Sequence, residues 1–195
     1  MSEDEGDQQH ERAKARALDG YLAAAARLGD RAALEALALR FDRRLYRHAC
    51  RLAGDAEMAR DIAQDAWVDI VRGLQRLDDA SSFAAYAFRI TTRRAVDAIR
   101  RKKRARDGVA AFAAEPREEA ANDGGAHMNA EIDALNKAMR ALPSEQRAAI
   151  ALFYLEDLSV AEIAVALDVP AGTVKTRLMA ARDKLKNAIG ENEEA

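Results

Sequence analysis

The stretch Leu158-Ser-Val-Ala-Glu-Ile-Ala-Val-Ala-Leu-Asp-Val-Pro-Ala-Gly-Thr-Val-Lys-Thr-Arg-Leu, residues 158 to 178, sets the fold class. It reads as a short helix, a tight turn and a second helix. Ser159 with Glu162 forms a capping box, which starts the first helix at 159. Asp168-Val169-Pro170 ends it. The first helix buries Ile163, Ala164 and Leu167. The second buries Val174, Leu178, Ala181 and Leu185, a helical stripe. Lys175, Thr176, Met179 and Arg182 are left on or near the wet surface. This is a helix-turn-helix, whose second helix suits the major groove of duplex DNA. Thr173 and the free N–H groups of that helix suit a phosphate oxygen. Lys175, Arg177 and Arg182 reach flanking phosphates, and Thr176 and Met179 meet base edges or a thymine methyl. The bland alternative is a helical hairpin with a basic solvated face.

Upstream, Leu142-Pro143-Ser144 and Asp157-Leu158-Ser159 punctuate two more helices, predicted over 131–141 and 144–155, ahead of 159–167 and 171–188. Further back, residues 107–130 lose periodicity. Gly108, Pro116, Gly124 and Gly125 interrupt Ala, Glu, Asn and Asp, the pattern of a flexible linker with a short helix at 109–114. The N-terminal part is again helical. Gly29-Asp30 and Gly54-Asp55 each stop one helix and cap the next. Leu34, Leu37, Phe41, Leu45, His48 and Leu52 make one apolar stripe over 31–53. A third helix covers 56–77. A fourth runs from Phe83, capped by Ser81 or Ser82. The resulting division is a tail at 1–17, a helical domain at 18–106, a linker at 107–130, a second helical domain at 131–189 and a tail at 190–195.

Composition agrees with an all-α chain. Hydrophobic residues make up 49% of the 195, so both domains can bury a core, and only 3 prolines and 10 glycines break it. Much of the apolar content is alanine, which predicts small, close helix interfaces. The net charge of −2 hides segregation. Arg89, Arg93, Arg94, Arg100, Arg101, Lys102, Lys103, Arg104 and Arg106 stand against Asp97 alone, either a solvated face or a phosphate-binding patch. Phe83, Tyr86 and Phe88 lie beside those cations. Aromatics next to cations suit unstacked bases, with Tyr86 the better stacking residue and core packing favoured for the two phenylalanines. The third helix shows a polar stripe at Glu57, Asp61, Gln64, Asp65 and Val68, either a solvated face or a docking surface flanked by Trp67.

Cys50 is the lone cysteine, and His10, His48 and His127 do not cluster, so neither a disulfide nor a metal site is expected. No apolar run approaches the ~18 residues of a membrane span, and the acidic N-terminus lacks a signal-peptide layout. A cytoplasmic protein without membrane insertion is expected. No nucleophile–base pair, glycine-rich phosphate loop or metal cluster suggests an enzyme, and no cofactor is expected.

Three segments resemble region 2 of bacterial sigma factors of the extracytoplasmic-function (ECF) group: Asp55-Ala-Glu-Met-Ala-Arg-Asp-Ile-Ala-Gln-Asp-Ala-Trp, Phe83-Ala-Ala-Tyr-Ala-Phe-Arg-Ile and Ala95-Val-Asp-Ala-Ile-Arg-Arg. Leu142-Pro-Ser-Glu-Gln-Arg-Ala-Ala-Ile, Tyr154-Leu-Glu-Asp-Leu-Ser and Gly172-Thr-Val-Lys-Thr-Arg-Leu resemble region 4. The resemblance implies an alternative sigma factor that binds core RNA polymerase and directs it to promoter DNA. It puts polymerase docking on Asp61, Gln64 and Asp65. It puts −10 contacts on Tyr86, Arg93, Arg94, Arg100 and Arg101, and −35 contacts on Thr173, Lys175, Thr176, Arg177, Met179 and Arg182. It also implies an anti-sigma partner. Arg93, Tyr86 and Ala180 depart from the asparagine, tryptophan and arginine frequent there, implying an unusual promoter preference or fewer base contacts. The rivals are a sigma mimic that occupies an anti-sigma factor without touching promoters, and a conventional repressor or activator.

Overall fold

The computed structural model describes residues 2–109 and 130–193. The helices are α1 (Ser2–Arg27), α2 (Arg31–Ala53), α3 (Ala56–Leu74), α4 (Phe83–Val109), α5 (Ala130–Ala141), α6 (Ser144–Tyr154), α7 (Val160–Leu167) and α8 (Ala171–Glu193), with a 3-10 turn at Ala80–Ser82 before α4. No strand occurs among the described residues, as the composition predicts. The 109–114 helix and most of the 107–130 linker lie outside the described residues.

Local chemistry sets most boundaries. Gly29 and Gly54 take φ of 95° and 68°, a left-handed turn that glycine tolerates without a Cβ clash. Asp30 then accepts from Ala33 N at 3.1 Å and Asp55 from Met58 N at 3.0 Å, satisfying free N–H groups of α2 and α3. Before α4 the capping group is Asp79, not Ser81 or Ser82. Its carboxylate accepts from the Ser81 backbone N–H at 2.9 Å and from the Ser81 and Ser82 hydroxyls, because a tight turn precedes the helix. These donors hold the Asp79 carboxyl below the usual range.

The largest difference from expectation is at the N-terminus. Residues 1–17 read as a tail, yet α1 begins at Ser2. Arg12 and Arg16 on it form ion pairs with distant residues, which local periodicity does not encode.

In the N-terminal bundle, Leu37, Phe41, Leu45, Ile70, Phe83 and Phe88 are fully buried. Phe41 and Phe83 meet edge to face at 4.9 Å. Ala23, Ala33, Ala49, Ala59, Ala63 and Ala66 are buried at the helix contacts, so the axes approach closely. In the C-terminal bundle, Leu152, Leu158, Ile163, Val174, Leu178 and Ala181 form the centre. The two bundles touch: α7 packs on α4 and α6 on α2, and buried apolar side chains of both belong to one cluster.

Candidate nucleic-acid and partner-docking interfaces

The helix-turn-helix is built as its sequence predicts. Ser159 N–H donates to Glu162 Oε2 at 2.8 Å, and Ser159 Oγ accepts from Glu162 N–H at 3.2 Å. Burial raises the Glu162 carboxyl, but the Ser159 bonds and Arg16 outweigh it and leave it below the usual range. Asp168 closes α7 at φ 53°, a left-handed position that aspartate tolerates better than most residues. Val174, Leu178 and Ala181 hold α8 against the bundle while Ala164 and Leu185 are half-buried.

On the outer face of α8, Lys175, Thr176, Met179 and Arg182 are exposed together, and Thr173 is half-buried. Met179 keeps 60% of its surface in water, an apolar tip with no protein cover. Thr176 Oγ1 donates to Gly172 O at 3.0 Å. Arg177 turns back from the row and pairs with Glu145 of α6. Arg182 Nε donates to Tyr154 Oη at 3.0 Å, and its guanidinium lies over the Phe153 and Tyr154 rings, 5.2 and 5.6 Å from their centroids. Stacking of this kind holds an arginine extended while leaving most of its donors free. Tyr154 was not read from sequence as a site residue, since nothing local ties it to a helix 28 positions on.

On α4 the aromatics divide. Phe83 and Phe88 are core residues. Tyr86 is half-buried in the α3–α4 groove, where its hydroxyl donates to Ile70 O at 3.2 Å and its ring leans on Phe83. Burial raises its pKa, with Asp69 adding to the effect. It does not stand on an open face. Arg93, Arg100 and Arg101 are exposed, with no ion pair among the described residues. Arg94 is held by Asp69 at 2.5 Å and reaches Asp65 at 3.8 Å. Lys102 pairs with Asp55 at 2.9 Å.

On α3 the polar stripe is open. Glu57, Asp61, Gln64, Asp65 and Val68 are exposed, while Ala59, Ile62, Ala63, Ala66 and Ile70 pack inward. Trp67 is half-buried and donates to Asp42 Oδ1 at 3.1 Å. The structure thus places Asp61, Gln64 and Asp65 on one face and links it to α4 through Arg94. Among the described residues no cluster of His, Cys, Asp or Glu is suited to a metal, and no helix is long and apolar enough to cross a membrane. Cys50 is half-buried, and that burial pushes its thiol pKa up.

Comparison with known proteins gives these surfaces a common setting. The Sigma-70 region 2 family matches residues 37–105, and the Sigma-70, region 4 family matches residues 132–185. The ECF RNA polymerase sigma factor SigM of Mycobacterium tuberculosis is 32% identical over 183 residues, covering 93% of this chain and 87% of that protein. The ECF RNA polymerase sigma factor SigE of Mycolicibacterium smegmatis is 32% identical over 175 residues, and this chain spans 65% of its length. The fold matches that of the sigma factor RpoE from Bartonella quintana, crystallised with the anti-sigma factor NepR. The TM-score is 0.68 at 21% identity, over 80% of this chain and 96% of that one. With both regions matched in order, and SigM aligned along nearly the whole sequence, the chain belongs to the ECF RNA polymerase sigma factors.

Proposed function

We propose that this protein is an alternative sigma factor that binds core RNA polymerase through α3, captures the opened −10 strand on α4 and grips the −35 duplex with α8. The observation that carries this is the exposed row Lys175, Thr176 and Met179 on the second helix of a capped helix-turn-helix, on the same chain as the open acidic stripe. Lys175 neutralises a phosphate, while Thr176 and Met179 face base edges. Arg177 and Arg182 reach flanking phosphates when Glu145 and Tyr154 share or release them, and Thr173 meets a phosphate near the start of α8. On α4, Arg93, Arg100 and Arg101 track the strand backbone. Arg94 joins them when it leaves Asp69. Tyr86 serves as a stacking platform once its ring swings from the groove.

Strand opening in this reading is driven by binding energy and needs no catalytic residue or cofactor. Each unstacked base held on protein contributes about 1–3 kcal/mol. Two weak DNA contacts joined through polymerase gain from effective concentration, so the free factor binds DNA poorly. Polymerase and promoter place its work in the cytoplasm. Sequestration by an anti-sigma factor is supported by the structural likeness to a sigma factor crystallised with one.

In-vitro transcription with purified core polymerase tests the proposal. A sigma factor yields promoter-dependent transcripts. A mimic that only occupies an anti-sigma factor yields none, and that result would end this reading.

A further inference from the structure

One short helix, α6, touches both arginines of the recognition helix. Its middle is anchored, since Ala148 to Leu152 are all buried. Its two ends are thereby fixed against α8. Glu145, in the first turn, pairs with Arg177. Phe153 and Tyr154, in the last turn, lie under Arg182. At about 100° per residue, Arg177 stands about 200° round α8 from Lys175, while Arg182 returns to within about 20° of it. Met179 lies between Lys175 and Arg182, and all three are exposed. The end of α6 that carries Tyr154 therefore meets the flank of α8 that carries this row, and the Glu145 end meets another.

The two contacts differ in chemistry. Glu145 is a carboxylate, and it neutralises an Arg177 side chain that is only 19% exposed. To reach a phosphate, Arg177 must leave that carboxylate, which then stays beside the DNA. Tyr154 is a neutral phenol, so Arg182 keeps its charge for a phosphate. The phenol oxygen accepts only from Nε of Arg182, at 3.0 Å. The four N–H donors of the two Nη groups stand outside that bond. The ring beneath is itself supported. Phe153 meets Tyr154 edge to face, with centroids 5.0 Å apart, and is half-buried against the core. Tyr154 still keeps 55% of its surface in water, so the stacked pair is open to a groove wall.

We propose that Tyr154 is a positioning residue for duplex recognition: it holds the Arg182 guanidinium extended in the Lys175–Met179 row, and Arg182 engages a phosphate without leaving the ring. The proposal rests on the −35 role given to α8 above. An unsupported arginine loses its rotamer freedom when it binds. One already stacked on a ring has given up much of that freedom beforehand. The benefit falls on affinity and leaves the number of phosphates contacted unchanged.

The test uses holoenzyme reconstituted with the full chain and a labelled duplex of a promoter that the wild type transcribes. Binding is measured in the cold, so that the strands stay paired. Arg182→Gln reduces the log-log salt slope by about 1, the signature of one lost phosphate contact. Tyr154→Leu weakens binding about 2- to 12-fold and leaves the slope as it was. Tyr154→Phe keeps the ring and recovers most of that loss. In an Arg182→Gln background Tyr154→Leu has no effect, because nothing remains to be held. An unchanged slope in Arg182→Gln removes the phosphate contact and overturns the proposal. So does a Tyr154→Leu loss of equal size with and without Arg182, which is what general damage to the bundle would give. A wild-type holoenzyme that transcribes from no promoter instead overturns the sigma-factor reading.

Discussion

His48 lies on the inner face of α2, where it meets Phe88 and Thr92 of α4. In the sequence it is one member of the apolar stripe of α2. In the structure it is fully buried, with Nε2 at 2.8 Å from Thr92 Oγ1 and the ring edge-on to Phe88 at 5.2 Å. Its Nδ1 is buried without a partner, so a second proton has nothing to bond. Burial, with a smaller push from Arg51, lowers the pKa from 6.5 to about 3. The unfolded chain binds that proton near pH 6.5 and the folded chain does not. Stability is therefore complete above pH 6.5 and is lost as pH falls toward 3, by about 1.4 kcal/mol per pH unit. Urea denaturation at a series of pH values measures this slope, and His48→Leu should flatten it. A wild-type profile level from pH 7 to 5 would mean that water or a local opening reaches the ring.

At the scale of the helix, caps were legible because they are local. Asp30, Asp55 and Ser159 with Glu162 each bond within three residues. Packing across helices was not, and Gly73 is the clearest case. In sequence it merely weakens the end of α3. In space a Cβ there would collide with the Tyr86 hydroxyl, while the ring carbon beneath lies 3.5 Å away, an ordinary contact. Gly73→Ala should gain about 1 kcal/mol of helix propensity. It should lose about 1–3 kcal/mol by displacing Tyr86. In a Tyr86→Phe background the clash disappears, and the same alanine becomes stabilising by up to about 1 kcal/mol. A double-mutant cycle by urea unfolding therefore shows a positive coupling. Additive effects would mean that Tyr86 leaves the groove without cost.

For the whole molecule, what the sequence carried and what it lacked separate by distance along the chain. The order of helices and the alternation of buried and open faces on α3 and α8 were readable, since each repeats every three or four residues. The length of α1, the Arg44–Glu156 contact and the Arg182–Tyr154 stack were not, because each depends on groups 28 to 146 positions apart. The packing of the two bundles leaves the α3 stripe exposed, open to the polymerase docking proposed for it. Asp61 is the sharpest probe of that stripe: it is exposed and makes no hydrogen bond or ion pair among the described residues. Asp61→Lys should leave stability within about 0.5 kcal/mol of wild type. It should still weaken core polymerase binding about tenfold or more at low salt, with the loss shrinking as ionic strength rises. Fluorescence anisotropy titration of the labelled chain with core polymerase reads both. Equal affinity for the two proteins would move docking off α3, whereas a loss that persists at high salt would point to a buried contact at that position rather than a charged rim.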